Sequence, residues 1–146
     1  MSELNKLILL VEDNKNDELL ALRAFKKADI KSDIDVARDG AEAMDYLFSN
    51  NKETKPIPEL ILLDLNLPKI NGLEVLKRLK SDHNTSHIPV IVMTSSDEGS
   101  DVQNCYLFGA NSYIRKPVDF QDFLSLISKL TVYWLSLNQS PGMLKH

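Results

Sequence analysis

One cysteine, Cys105, stands in 146 residues, so no internal disulfide and no cysteine-based zinc cluster is available, and the chain suits a reducing compartment. Basic blocks are missing as well. The 17 Lys and Arg side chains are scattered among 21 Asp and Glu, for a formal charge of −4, which argues against direct contact with a nucleic-acid backbone. Long hydrophobic runs are absent: Leu7 to Val11 is followed at once by Glu12 and Asp13, too short for a signal-peptide core and far short of a membrane span. No Walker-type loop and no GxGxxG is present to cradle a nucleotide. The three histidines, His83, His87 and His146, fall in a helix-end loop and the tail, so no Ser-His-Asp arrangement forms. What remains is a soluble, cytoplasmic protein, with one domain expected over residues 1–136 and a short tail over 137–146.

Short apolar runs alternate with longer amphipathic stretches. Leu7–Val11, Leu60–Leu63 and Val90–Met93 are apolar at every position, as central parallel strands buried on both faces must be. Ile34–Ala37 and Ser112–Ile114 are weaker and predict strands nearer the edges. Helical recurrence of apolar residues predicts helices over Asp17–Ala28, Ala41–Phe48, Leu73–Leu79, Val102–Phe108 and Phe120–Leu137. Gly109 follows the fourth as a helix-ending glycine. Five strands alternating with five helices predict an α/β fold, a doubly wound parallel sheet with helices on both faces. Ser49–Pro58, polar and with two prolines, predicts a loop longer than the usual ~4–6 residues.

Polar residues terminate the core strands. The first ends in Glu12-Asp13, the third in Asp64, the fourth in Thr94-Ser95, and the fifth is followed by Lys116-Pro117. In an open parallel sheet these ends share one edge, where such folds bind ligands. One acid after a strand is usually a loop residue or a helix cap; three carboxylates, a hydroxyl and an ammonium at one edge are harder to explain that way. Three close carboxylates repel one another and take up protons unless a cation shares them. Oxygen ligands with no His or Cys nearby suit Mg²⁺. Mg²⁺ with a lysine and a hydroxyl is what phosphoryl oxygens need around them, and a carboxylate can itself be the nucleophile that forms an acyl phosphate. Asp64, in the middle of the edge, is the candidate.

The motifs LILLVEDN (7–14), LILLDLNLPKINGLEVL (60–76), IPVIVMTSS (88–96) and GANSYIRKP (109–117) together resemble the receiver domain of two-component response regulators, over about residues 5–135. The resemblance implies the flavodoxin-like strand order 2-1-3-4-5. It implies that Asp64 accepts a phosphoryl group from a histidine kinase or phosphotransfer protein. Glu12, Asp13 and Asp64 would hold Mg²⁺, with the backbone carbonyl of Asn66 as a further ligand. Lys116 would pair with phosphoryl oxygens, behind a cis Lys116–Pro117 peptide bond. Thr94 and Tyr113 would form the switch, while Pro68 and Gly72 shape the loop after Asp64. Asn66 and Ser96 would flank the attacking water. The lesser reading of Tyr113 is a strand aromatic packed beside the fourth helix.

The output is expected to be protein contact, because no further domain follows the fifth helix. Among Phe120–Leu137, eleven of 18 residues are apolar, whereas a single core-facing stripe takes about three positions in seven. The excess, in Val132–Leu137, either folds back on its own domain or forms a homodimer through the last helix and its extension. EDNKNDELLALRAFKKA (12–28), the long loop before Leu60 and the aromatic extension are similar to single-domain regulators associated with bacterial phytochromes. That sub-match implies a phytochrome-type histidine kinase as partner, met by residues near the first helix such as Asp17, Leu20 and Leu22. A relay passing phosphate to a histidine phosphotransfer protein remains open. A Mg²⁺-dependent phosphatase with an Asp nucleophile is a competing class, but it generally needs an acid two residues after the nucleophile, where this chain has Asn66. A flavodoxin-like phosphate site would want a Ser/Thr/Gly-rich first loop in place of Glu12-Asp13.

Overall fold

The computed structural model describes residues 6–30, 32–49, 57–95, 98–117 and 119–139. Most of the loop expected at Ser49–Pro58, Ser96 and all but the first residues of the expected tail lie outside them. Strands β1 (Lys6–Val11), β2 (Ser32–Ala37), β3 (Leu60–Leu63), β4 (Val90–Thr94) and β5 (Ser112–Arg115) alternate with helices α1 (Lys15–Lys27), α2 (Gly40–Phe48), α3 (Gly72–Ser81), α4 (Gly99–Leu107) and α5 (Phe120–Thr131). All strand pairs are parallel, in the order β2-β1-β3-β4-β5. The fold is therefore the doubly wound sheet read from the sequence.

Burial follows strand position. β3 and β4 are buried throughout, and β1 is buried beyond Lys6; β2, at the edge, alternates between half-buried and exposed positions before ending in buried Ala37. Alternate side chains of the central strands enter two cores. On one face Leu9, Val11, Ile61, Leu63, Val90 and Val92 pack with α2, α3 and α4. On the other, Ile8, Leu10, Leu60, Leu62, Ile91 and Met93 pack with Ala24 and Phe25 of α1 and with Phe123 and Ile127 of α5.

Four helices begin earlier than apolar recurrence predicts, α4 by three residues and without a side-chain cap; the first turns of α1, α2 and α3 carry capping residues. The side chains of Asn14, Asp39 and Asn71 accept the N–H groups of Asp17, Glu42 and Glu74, at 3.0, 2.7 and 3.0 Å, satisfying donors that the first turn leaves unpaired. Gly109 ends α4 as expected, with φ +101°. Its N–H bonds the Tyr106 carbonyl, and that of Ala110 bonds the Cys105 carbonyl, a Schellman closure that suits glycine.

The last helix differs from the single run expected over Phe120–Leu137. The α-helix stops at Thr131 and continues as a π-helical segment, Val132–Leu137. Buried Thr131 turns its hydroxyl back to the carbonyls of Ile127 and Ser128, at 2.9 and 3.1 Å, an arrangement that bends helices. The Asn138 N–H then bonds the Tyr133 carbonyl five residues back. Widening changes which side chains face inward. Leu135 is buried and Trp134 packs against the α1–α5 core, while the Lys6 ammonium donates to the Leu135 carbonyl. Val132, Tyr133 and Leu137 stay 50%, 49% and 66% exposed. Among the described residues the segment thus folds back in part and leaves a second apolar face uncovered.

Candidate functional site

The sheet itself fixes the site's backbone. The first residue past β1, the first past β3 and the first past β5 each extend the ladder: the N–H groups of Glu12, Asp64 and Lys116 donate to the carbonyls of Ala37, Val11 and Thr94 at 2.9, 3.1 and 2.8 Å. Side chains from three strand ends are thereby brought to one edge. The Lys116 ammonium donates to Glu12 Oε1 at 2.8 Å, Asp17 Oδ2 at 2.7 Å and Asp64 Oδ2 at 3.0 Å. Glu12 and Asp64 are buried. Their remaining oxygens accept backbone N–H groups, Glu12 Oε2 from Asn14 at 3.1 Å and Asp64 Oδ1 from Asn66 at 3.2 Å.

Electrostatics at this edge are those of crowded charge. Burial pushes the Glu12 carboxyl up to about 7, despite the opposing hydrogen bond and charge of Lys116; nearby Asp64 pushes the same way as burial. For Lys116 burial acts to lower the ammonium's pKa, but the hydrogen bonds to Asp17 and Glu12 and the charge of Asp64 outweigh it and hold the pKa above the ordinary lysine value. Lys116 is therefore a permanent cation. Glu12, Asp13 and Asp64 each present a carboxylate oxygen, all within 4.8 Å of one another. With oxygen donors only and one exposed member, Asp13, this donor set fits a hard divalent cation that keeps part of its water shell.

Residues 8–128 match the response regulator receiver domain. The chain belongs to that family. It is 40% identical over 136 residues to FilR2, a probable methanogenesis regulatory protein of Methanothrix harundinacea, covering 93% of this chain and 88% of the relative. It is 39% identical over 138 residues to the response regulator Rcp1 of Synechocystis, covering 94% of each. Among solved structures, the phosphorylated cyanobacterial phytochrome response regulator RcpA superposes with a TM-score of 0.85 at 37% identity, over 94% of this chain and 99% of that one. The Mn²⁺-bound form of Rcp1 also gives 0.85, at 38% identity over 93% and 99%.

In this receiver Thr94 is fully buried at the end of β4. It lies two residues past Val92, on the sheet face that packs against α2, α3 and α4. Tyr113 pairs in register with Val92 and packs half-buried against the same core, so both switch candidates share a face. One expectation fails. Among the described residues no peptide bond is cis, so Lys116–Pro117 is trans. The trans form is favoured by about 0.5–1 kcal/mol even before proline, and with it the Lys116 ammonium already reaches three carboxylates, so nothing in this arrangement demands the rarer isomer.

The loop after Asp64 depends on glycine. A Cβ on Gly72 would lie 2.3 Å from the Asp64 carbonyl oxygen, and one on Gly40 1.6 Å from that of Ile70. The Gly72 N–H donates to the Leu65 carbonyl at 3.0 Å, and the Pro68 carbonyl accepts the Ile70 N–H at 2.8 Å. Asn66 is exposed.

Asp17 is the site residue whose contact with Lys116 sequence reasoning missed. The sequence places it near the surface where a partner kinase is met, and the structure adds a contact with Lys116. Its signal was the spacing from Asn14: a residue three past an N-cap sits in the first turn, and helical side chains lean toward the N-terminus, here toward the strand edge.

Proposed function

We propose that this receiver accepts a phosphoryl group on Asp64 from a histidine kinase of phytochrome type and signals by changing its protein-contact surface. The observation that carries the reading is the Lys116 ammonium 3.0 Å from Asp64 Oδ2, beside the cluster of Glu12, Asp13 and Asp64. An Asp64 carboxylate oxygen forms the new O–P bond as the N–P bond of the donor phosphohistidine breaks. The electron pair returns to the imidazole nitrogen, which takes up a proton. Glu12, Asp13 and Asp64, with the Asn66 carbonyl, would hold Mg²⁺, which would supply positive charge to offset that on the phosphoryl oxygens. Lys116 pairs with those oxygens as a fixed cation. Thr94 then draws toward the phosphoryl group and Tyr113 follows, biasing a two-state surface of α4, β5 and α5. The chain turns over no separate substrate. The receiver spans residues 1–136, with 137–146 a tail, and acts in the cytoplasm; no helix among the described residues is long and apolar enough to cross a membrane.

A second copy of the chain is the partner proposed for Val132, Tyr133 and Leu137. Their exposure leaves the uncovered apolar face that the composition of this segment predicts. Phytochrome association is supported by the likeness to RcpA. The test is phosphate uptake from a small acyl phosphate donor, followed by intact mass, with and without Mg²⁺. Wild type gains one phosphoryl group only with metal. Equal uptake by Asp64→Asn would remove Asp64 from its role.

A further inference from the structure

Asp17 is a carboxylate of this site that the transfer above does not use. An acid in the first turn of a helix is explained ordinarily by the positive end of the helix dipole. That explanation does not require contact with a lysine distant in sequence, yet Asp17 Oδ2 lies 2.7 Å from Lys116 Nζ. The Lys116 side chain is 16% exposed and Asp17 37%, so the pair lies at the mouth of the site, partly out of water. Asp17 is also held in place, since its N–H donates to the Asn14 side chain.

An ammonium has three hydrogens, and the three contacts to Glu12, Asp17 and Asp64 match that number. Two of these partners, Glu12 and Asp64, also belong to the cluster that would take a divalent cation; Asp17 does not. A cation arriving at the cluster repels Lys116 and competes for two of its three partners. Asp17 is the partner that the lysine keeps. Without it, Lys116 has only the oxygens that the metal needs.

We propose that Asp17 is a positioning residue that parks the Lys116 ammonium on the α1 side, freeing Glu12 and Asp64 to bind the divalent cation. The proposal rests on the function proposed above. Losing Asp17 weakens metal binding twice over: a negative charge near the cation disappears, and the lysine tightens on the metal's ligands. Both effects have the same sign.

The experiment is calorimetric titration of the full chain with MgCl₂, at fixed pH and ionic strength and with no phosphoryl donor present. Asp17→Asn raises the Kd for Mg²⁺ about tenfold, as an interaction of charges a few ångströms apart near a protein surface allows, and Asp17→Glu, which restores the charge, recovers most of the affinity. In a Lys116→Met background the same Asp17→Asn change costs about twofold or less, because the lysine it parks is gone. An unchanged Kd in Asp17→Asn, or an equal loss in both backgrounds, overturns the parking role while leaving Mg²⁺ binding by wild type intact. No Mg²⁺ binding by wild type overturns the proposed function and this inference together.

Discussion

Glu12 is a buried carboxyl whose only charged compensation among the described contacts is one lysine shared with two other acids. Burial raises its pKa from 4.5 to about 7, so between those values the metal-free folded state binds more protons than the unfolded chain. Stability must then fall as pH rises through that window. Going from pH about 5.5 to about 8 costs the metal-free protein roughly 2 kcal/mol through this group. Urea unfolding at the two pH values checks this, and Glu12→Gln removes that part of the difference. A wild type as stable at the higher pH as at the lower would contradict the assignment. The same raised value makes Mg²⁺ compete with a proton at Glu12, so metal affinity falls on acidification through 7. Among the residues of the site, Glu12, Asp13, Asp64 and Lys116 were legible in the sequence because each directly follows a strand end or lies next to such a residue. The partnership of Asp17 with Lys116 was not, since a first-turn acid has a sufficient local explanation. The trans Lys116–Pro117 bond was equally out of reach, because proline allows both isomers.

At the scale of elements, α1 links the site to the surface on which a partner kinase would dock. Asn14 caps it and, by bonding the Asp17 N–H, also fixes the residue that holds Lys116. Asn14→Ala should therefore cost about 1 kcal/mol of stability and weaken Mg²⁺ binding as well. Urea unfolding and metal titration read the two effects separately, and a stability loss with unchanged metal affinity would show that the cap serves the helix alone. Central strands were the most legible elements, because continuous apolar runs such as Leu60–Leu63 have little else to be beside strands buried on both faces. Helix starts were less so. Apolar recurrence begins only where a helix turns its inward face to the sheet, after a first turn that is polar and capped, as at Lys15 and Gly72. The π-helical end was invisible, because it follows from the Thr131 hydroxyl and from backbone bonds that leave no mark on apolar spacing.

For the molecule as a whole, one sheet separates two cores and brings the ends of four strands to a single edge, which is why residues scattered along the chain act as one site. The doubly wound sheet was readable in advance from five strands alternating with five helices, whereas the strand order came from the resemblance to receiver domains. The proposed self-association is to be tested on the whole molecule. Val132→Asp combined with Leu137→Asp places charge on the face assigned to a second copy, and light scattering should then find monomer where wild type gives dimer at tens of micromolar. Phosphate uptake should be unchanged, since neither residue approaches the acid cluster. Wild type that is monomeric both with and without a phosphoryl mimic would contradict the dimer.

The central claim concerns one atom group, the Asp64 carboxylate. Its most direct test is to phosphorylate the protein in Mg²⁺, reduce the acyl phosphate with borohydride, and locate the product by peptide mass spectrometry. The account predicts homoserine at position 64 alone, absent when Mg²⁺ is chelated beforehand. Reduction product at Glu12, Asp13 or Asp17, or none at position 64 despite phosphate uptake, would contradict it.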